Sequence, residues 1–246
     1  TMEETAFFLS LTTGGCTPVV ITGAMRQANA TGADGPANLL NAVRIAVAPA
    51  SRGRGTMVLM NDEIFAARDV VKSNSTRPNA FTAPDAGVLG IADPDTIVYH
   101  RAPPAGSESS RCRSPVFDLA SVGSFPRVDI AYAYIGSDSV VVDALVAAGA
   151  RGIVVAGVGR GGSTPAMGQA LRRAVDKGVI VVMGTRTGSG RVSPETEPDS
   201  LAALSPGRGA MLGASDLNAQ KARVLLMLGL AAHMELRTLA QLFEQR

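Results

Sequence analysis

The sequence predicts an α/β protein with two domains. Its 246 residues are 46% hydrophobic and 18% charged, which provides enough apolar side chains for substantial cores. Segments with the apolar pattern of helices alternate with short runs rich in Val and Ile, a rhythm typical of parallel sheets covered by helices. Residues 101–124, rich in Pro, Ser, Gly and Arg, interrupt this rhythm and are predicted to form a linker. We therefore expect domains over 1–100 and 125–246.

The first predicted domain opens on a helix, because Thr1 and Glu4 have the spacing of a capping box ahead of apolar residues. A second helix is predicted over 36–48, where Pro stands at the first position. Runs of apolar and β-branched residues predict strands over 18–22, 56–60, 70–71, 88–91 and 97–99. The last three are short and are separated by Asn, Asp and Pro, which favours hairpins at the edge of the sheet.

The second predicted domain resumes the alternation of strands and helices. Strands are predicted over 128–132, 152–155 and 179–183, and helices over 137–148, 164–177, 218–233 and 236–245. Residues 184–209 are rich in Gly, Ser and Pro and are predicted to form a long loop. Strands that are joined through helices in this way are expected to be parallel neighbours.

Net charge, hydropathy and the cysteine and histidine positions indicate which kinds of partner the protein is not expected to bind. The formal net charge is +2, from 23 basic and 21 acidic residues, so no nucleic-acid partner is expected. No apolar run approaches the ~18 residues of a membrane span, so no membrane partner is expected. Cys16 and Cys112 lie far apart, and with His100 and His233 they show no metal-ligand spacing. We expect two free structural cysteines and, from them, a cytoplasmic protein that holds no metal.

A glycine-rich stretch, Gly157–Gly162, stands between a predicted strand and a predicted helix. Its spacing matches the dinucleotide fingerprint G-x-G-x-x-G. The next strand is followed by Gly184, Thr185 and Arg186 rather than by the acidic residue that binds an NAD ribose, although Arg186 would suit the 2′-phosphate of NADP. The alternative is a tight strand-to-helix turn that needs glycine at positive φ.

Only three of the 23 basic residues are lysines, namely Lys72, Lys177 and Lys221. A lysine ammonium can be deprotonated near neutral pH and an arginine guanidinium cannot, so each lysine is a candidate for proton transfer. Lys177 stands at a predicted helix end, where it stabilises the helix dipole, and Lys221 is expected to be exposed. Lys72 follows a strand-like run, and ligand sites of open α/β sheets gather at strand ends. Lys72 is therefore the candidate catalytic residue.

Six short segments stand in a characteristic order along the chain. They are 1–6 (TMEETA), 18–26 (PVVITGAMR), 33–38 (ADGPAN), 60–62 (MND), 68–74 (RDVVKSN) and 217–226 (LNAQKARVLL). Together they resemble the bacterial-type L-asparaginases, nearly from end to end. The resemblance implies a flavodoxin-like N-terminal domain, incomplete in this chain, and a smaller Rossmann-like C-terminal domain. It also implies a homotetramer whose sites lie between subunits and which uses no cofactor.

The resemblance implies hydrolysis of L-asparagine to aspartate and ammonia, with L-glutamine as a poorer substrate. In the family one Thr attacks the side-chain amide and forms an acyl-enzyme, which requires a nearby base because a hydroxyl is a weak nucleophile. A second Thr, with an Asp and a Lys, handles the protons. That Lys matches Lys72, whose pKa would have to be shifted by its surroundings.

Substrate-binding residues also follow from the resemblance. Ala24 matches a position whose backbone lines the substrate pocket, where its carbonyl would accept a hydrogen bond from the substrate amide. Gly162 stands where family members place an Asn or Ser that reaches the partner subunit's substrate, and Ser163 is adjacent to it. Glu195 or Glu197 would meet the substrate amine.

The chain departs from the family at the first catalytic motifs. The family's nucleophile lies in a Thr-Gly-Gly-Thr motif, and its second Thr and Asp lie in a Gly-Thr-Asp motif just before the position of Thr1. This chain contains neither, and residues 12–15 resemble the first by letters only, because they follow a helix. We expect an N-terminally truncated asparaginase that is inactive as given. The alternative is a non-catalytic, asparaginase-like remnant or binding subunit. A subunit that supplies ammonia to a tRNA-dependent amidotransferase ranks behind both.

Overall fold

The computed structural model describes residues 1–102, 114–193 and 209–244. The chain divides into two compact units, Thr1–Asp118 and Leu119–Gln245. Both units combine helices with sheets, which confirms the predicted α/β class. Within the described ranges no helix has the length and apolar character that crossing a membrane would require.

The first unit is built on a five-stranded sheet with the order β1-β2-β3-β6-β7, beside a separate hairpin of β4 and β5. Its elements are α1 (Met2–Thr12), β1 (Val19–Ile21), α2 (Gly35–Val47), β2 (Thr56–Met60), β3 (Glu63–Ala66), β4 (Val71–Lys72), β5 (Phe81–Thr82), β6 (Gly90–Ala92) and β7 (Ile97–Tyr99). A short 3-10 helix, Pro49–Ser51, follows α2. Strand β1 is parallel to β2, and the other neighbours are antiparallel.

The antiparallel pair of β6 and β7 lies at one edge of the mixed sheet, where the sequence predicted a hairpin, but the antiparallel pairing of β2 with β3 was not expected. Strand β3, which the sequence did not predict, folds back on β2 through a two-residue turn at Asn61 and Asp62. Both residues have positive φ, 52° and 64°, as the favoured two-residue hairpin turns require. A turn this short leaves no room for a helical crossover, so β3 must be antiparallel to β2.

Two apolar layers cover strand β2, whose five residues are all buried. Val58 and Met60 pack on the side of α1 with Ala6, and Met57 and Leu59 pack on the side of α2. This alternation follows from the two-residue period of a strand. The predicted capping box at the start of α1 does not form, since Thr1 makes no side-chain hydrogen bond to the helix.

The second unit is a parallel four-stranded sheet with the order β11-β10-β9-β8. Its elements are β8 (Val128–Tyr132), α3 (Val140–Ala147), β9 (Gly152–Gly157), α4 (Pro165–Asp176), β10 (Ile180–Thr185), β11 (Met211–Gly213), α5 (Ala219–Ala231) and α6 (Leu236–Glu244). Strands β9 and β10 are buried along their whole length. The sequence did not predict β11, because three residues ending in Gly give too short a pattern.

Cys16 is disulfide-bonded, which corrects the expectation of free cysteines. The other cysteine of the sequence, Cys112, lies outside the described residues. Disulfides persist mainly in oxidising compartments, so the argument for a cytoplasmic protein from its cysteines no longer holds.

Candidate functional site

The loop Thr22–Arg26 leaves the carboxyl end of β1, and the helix that follows it holds it in place. Asp34, the residue before α2, accepts hydrogen bonds from the Met25 N–H, at 2.9 and 3.1 Å to its two carboxylate oxygens, and from the Arg26 N–H at 2.9 Å. Burial alone would raise the pKa of Asp34, but these hydrogen bonds outweigh it and lower the pKa below the ordinary value. Asp34 therefore presents a carboxylate anion to the loop at neutral pH.

Asn38 joins this loop to the turn after β2. Its side-chain amide donates to the Gly23 carbonyl at 2.9 Å and to Asp34 Oδ2 at 3.2 Å. Its amide oxygen accepts from the Asn61 N–H at 3.2 Å. Asn38 is only 2% exposed, so each of these bonds satisfies a buried polar atom. The carboxyl ends of two neighbouring parallel strands are thereby tied together, at the edge where α/β sheets commonly bind ligands.

Ala24 lies exposed in the middle of this loop. The start of α2 approaches it closely, because a Cβ added at Gly35 would lie 3.3 Å from the Ala24 Cβ. On the other side, a Cβ added at Gly23 would lie 2.7 Å from Met2 Cε of α1. The loop thus touches the starts of both helices that flank the sheet.

Lys72 lies on the β4–β5 hairpin, where it pairs with Phe81. Its ammonium is 5.6 Å from the centre of the Phe81 ring, and the side chain is exposed. Phe81 and Val70 belong to the apolar cluster against which Met25 packs. The structure therefore places the hairpin that carries Lys72 and the loop that carries Ala24 against one cluster of the first unit.

The glycine-rich turn of the second unit is closed by its own backbone. Val158 and Gly162 exchange two backbone hydrogen bonds, of 2.8 and 2.7 Å. A Cβ at Gly157 would lie 2.6 Å from the Gly161 carbonyl carbon, and Gly159 and Gly161 have positive φ. Because two of its backbone N–H groups are used within the turn, a tight turn explains these glycines better than a pyrophosphate cradle does.

Arg186, which would have to bind the 2′-phosphate of NADP, is held elsewhere. Its guanidinium donates to the Ala133 carbonyl at 2.8 Å and lies 5.6 Å from the centre of the Tyr132 ring. Ser163 lies half-buried between the turn and α4. Its hydroxyl is 3.4 Å from the place that a Cβ on Gly168 would take, so it lies over the first turns of α4.

Two of the predicted substrate-binding residues lie outside the described residues, and the structure places one of the three lysines differently from the prediction. Glu195 and Glu197 belong to residues 194–208, which the structure does not describe. Lys221 was expected to be exposed but is only 1% exposed, because α5 is packed on almost all sides. Across the described ranges no three His, Cys, Asp or Glu side chains come together as metal ligands would.

Reasoning from the sequence missed Asp34 and Asn38 as parts of the site. Both belong to the 33–38 segment, which on its own suggests only a turn leading into a helix. The signal was present in their spacing of four residues, which places them on one face at the start of a helix. The sequence alone does not show that this face meets the loop after β1.

The two compact units, each combining helices with a sheet, define a two-unit α/β protein. Residues 1–105 match the family model "Asparaginase, N-terminal", and residues 127–243 match "Glutaminase/Asparaginase C-terminal domain". The chain belongs to the asparaginase family, as the resemblance implied.

Individual relatives agree with this assignment. L-asparaginase 2 of Bacillus subtilis is 42% identical over 94% of the chain, which spans 58% of that protein. A probable periplasmic L-asparaginase of Haemophilus influenzae is 39% identical over 99% of the chain, which spans 67% of it. The crystal structure of a probable cytoplasmic L-asparaginase from Campylobacter jejuni is 37% identical, with a TM-score of 0.88, over 100% of this chain and 76% of that one. The chain thus spans about three fifths to two thirds of these curated relatives.

Proposed function

We propose that the full-length protein hydrolyses L-asparagine to L-aspartate and ammonia, with L-glutamine as a poorer substrate. One observation carries the proposal. The loop at Ala24 is held by hydrogen bonds to Asp34 and Asn38, and it lies against the same apolar cluster as the hairpin of Lys72. Family membership and the asparaginases among the relatives support the reaction class. The name of the second family model supports glutamine as the other substrate.

The proposed mechanism is nucleophilic amide hydrolysis. A Thr hydroxyl, which the resemblance places upstream of Thr1, attacks the side-chain amide carbon, ammonia leaves, and water hydrolyses the acyl-enzyme. Lys72 serves the proton transfers together with a second Thr and an Asp, also upstream. The exposed ammonium of Lys72 is carried on a flexible stem, so it can reach a substrate bound beside its hairpin. On this proposal, the 246 residues without those upstream groups are inactive.

The carbonyl of Ala24 would accept a hydrogen bond from the substrate amide. Ser163 and one of Glu195 and Glu197 would contribute from the second unit to the site of a neighbouring subunit in a homotetramer. Ser163 is favoured by its place in the connection from the carboxyl end of β9 to α4, because the carboxyl ends of parallel strands are where ligands bind.

The compartment is proposed from Cys16. Its disulfide favours an oxidising compartment over the cytoplasm. Relatives of both kinds exist, since one is described as probably periplasmic and another as probably cytoplasmic.

The direct test measures products from the full-length gene product. Incubation with asparagine is expected to release ammonia and aspartate in equal amounts, and glutamine should react more slowly. The 246-residue chain, assayed beside it at equal concentration, is expected to release neither. Binding of aspartate without any release of ammonia by the full-length protein would contradict the proposal and favour a non-catalytic binding subunit.

A further inference from the structure

The two peptide groups that flank Ala24 are both fixed by side chains of α2 and its N-cap. Asp34 accepts the Met25 N–H, and Asn38 donates to the Gly23 carbonyl. A peptide group is planar, and no peptide bond among the described residues is cis, so the N–H and C=O of one group point in opposite directions. The Ala24 carbonyl therefore points away from Asp34, and the Ala24 N–H points away from Asn38.

Asp34 binds this loop instead of capping α2 with its side chain. It is the N-cap residue of α2, yet its carboxylate accepts no capping hydrogen bond from the backbone N–H groups of the first turn of the helix. An Asp at this position normally accepts from the second or third helical N–H, which contributes about 1 kcal/mol. Here the carboxylate is turned back to the loop, where it receives the Met25 and Arg26 N–H groups. Capping of the helix does not explain the orientation of Asp34, but orientation of the loop does.

We propose that Asp34 and Asn38 are positioning residues that aim the backbone of Ala24 at the substrate. This inference rests on the proposed function, in which the Ala24 carbonyl receives the substrate amide. The pair works through geometry fixed before substrate arrives, so the acceptor loses no orientational freedom on binding. Asn61, whose N–H is bound to Asn38, fixes the pair in turn to the end of β2.

The test compares Asp34→Asn with Asp62→Asn in the full-length protein. Asparagine at position 34 would turn an NH2 group toward the Met25 N–H, placing a donor against a donor. Asp62 accepts from Asn41 at 2.8 Å, and an amide oxygen can still accept that bond, so this control makes the same chemical change away from the loop. We expect kcat/KM for asparagine to fall about tenfold or more in Asp34→Asn, with most of the loss in KM, and to change little in Asp62→Asn.

A second readout separates positioning from general destabilisation. Hydrogen exchange of the peptide spanning Gly23–Arg26 should accelerate in Asp34→Asn, while exchange in β9 stays unchanged. If that variant fails to fold, Gly35→Ala replaces it. Its Cβ would press on the Ala24 Cβ at 3.3 Å and shift the loop, so KM should again rise.

The outcomes distinguish this inference from the proposed function. An active wild-type enzyme whose KM and loop exchange are unchanged by Asp34→Asn would overturn the positioning role alone. A wild-type protein that hydrolyses no amide would overturn the proposed function. The exchange measurement then still tests whether Asp34 and Asn38 hold the loop. Faster exchange of the loop in Asp34→Asn supports that role, and unchanged exchange overturns it.

Discussion

The loop after β1 and the turn after β9 occupy equivalent places in their units but are built in opposite ways. Each leaves the carboxyl end of a parallel strand and leads toward a helix, α2 in one case and α4 in the other. Side chains hold the first, since Asp34 and Asn38 bind its peptide groups. Backbone alone closes the second, through the paired hydrogen bonds of Val158 and Gly162.

The difference shows what a short motif can convey. Where side chains hold a loop, residue identity matters, and the letters of the 33–38 segment mark one particular structure. Where backbone closes a turn, the requirement is only the absence of a Cβ, which many unrelated turns share. The match of Gly157–Gly162 to a dinucleotide fingerprint is therefore weak, whereas the resemblance carried by the six ordered segments was confirmed by the family models.

Reduction of the disulfide should have the largest effect on stability. A disulfide typically contributes about 2–4 kcal/mol, largely by restricting the unfolded chain, and the second unit contains no cysteine. Dithiothreitol should therefore speed hydrogen exchange in β1, close to Cys16, and leave β9 unchanged. Cys16→Ser should show the same exchange without reductant and no further response to it. If dithiothreitol leaves hydrogen exchange in β1 of the wild-type protein unchanged, that result would contradict the disulfide. The cysteines would then again favour a cytoplasmic protein.

The substitution Gly157→Ala should have the next largest effect on stability. The added Cβ would meet the Gly161 backbone at 2.6 Å, and backbone cannot move aside as a flexible side chain can. We expect a loss of about 1–3 kcal/mol in the free energy of unfolding, seen as a lower thermal midpoint. Gly162→Ala is the control, because its nearest neighbour, the Val158 carbonyl oxygen, would be 3.2 Å away. Equal losses in the two variants would show that the turn is not closed as described.

The carboxylate of Asp34 makes the first loop sensitive to acid, and the second turn has no such group. The folded pKa of Asp34 is lowered, so its contribution to stability is present above the unfolded pKa and is lost as pH falls through the folded value. The stability difference between wild type and Asp34→Asn should thus be constant near pH 7 and shrink below about pH 4. Urea unfolding at pH 7 and pH 3 measures it. A difference that does not change with pH would mean that the carboxylate charge does not hold the loop.

Addition of NADPH should leave the thermal midpoint of the protein unchanged. The turn N–H groups are bonded internally, and Arg186 is engaged with Ala133. A ligand present at 100 times its Kd would stabilise the protein by about 2.7 kcal/mol, so an unchanged thermal midpoint at millimolar NADPH excludes useful affinity. A clear rise in the midpoint would make the second turn a ligand site and remove the contrast between the two regions.

Elements with a long apolar pattern could be predicted from the sequence. The bounds of β2 and β8 coincide with the prediction, and α4 differs by one residue at each end. These elements have enough residues for burial to impose its period on the sequence. Strands β3 and β11 were missed because Glu and Ala flank the apolar pair of β3 and Gly ends β11, whereas β7, also of three residues, is apolar and aromatic throughout and was predicted.

For the candidate site, the sequence offers candidates only where one residue carries the signal, and the roles of these candidates stay predictions. Lys72 and Ala24 could be chosen from the resemblance, because each has its own position in a motif. The roles of Asp34 and Asn38 depend on which loop approaches the start of α2, and burial of Lys221 depends on how α5 packs. Such tertiary contacts leave no local pattern in one sequence.

The most direct test of the account is Lys72→Ala in the full-length protein, compared with Lys177→Ala. Both lysines are exposed, so neither change should lower the thermal midpoint much. If the site lies at the first sheet and Lys72 handles protons there, kcat for asparagine should fall by about 10²–10⁴-fold in Lys72→Ala and stay near wild type in Lys177→Ala. An unchanged kcat in Lys72→Ala would contradict both the role of Lys72 and the placement of the site.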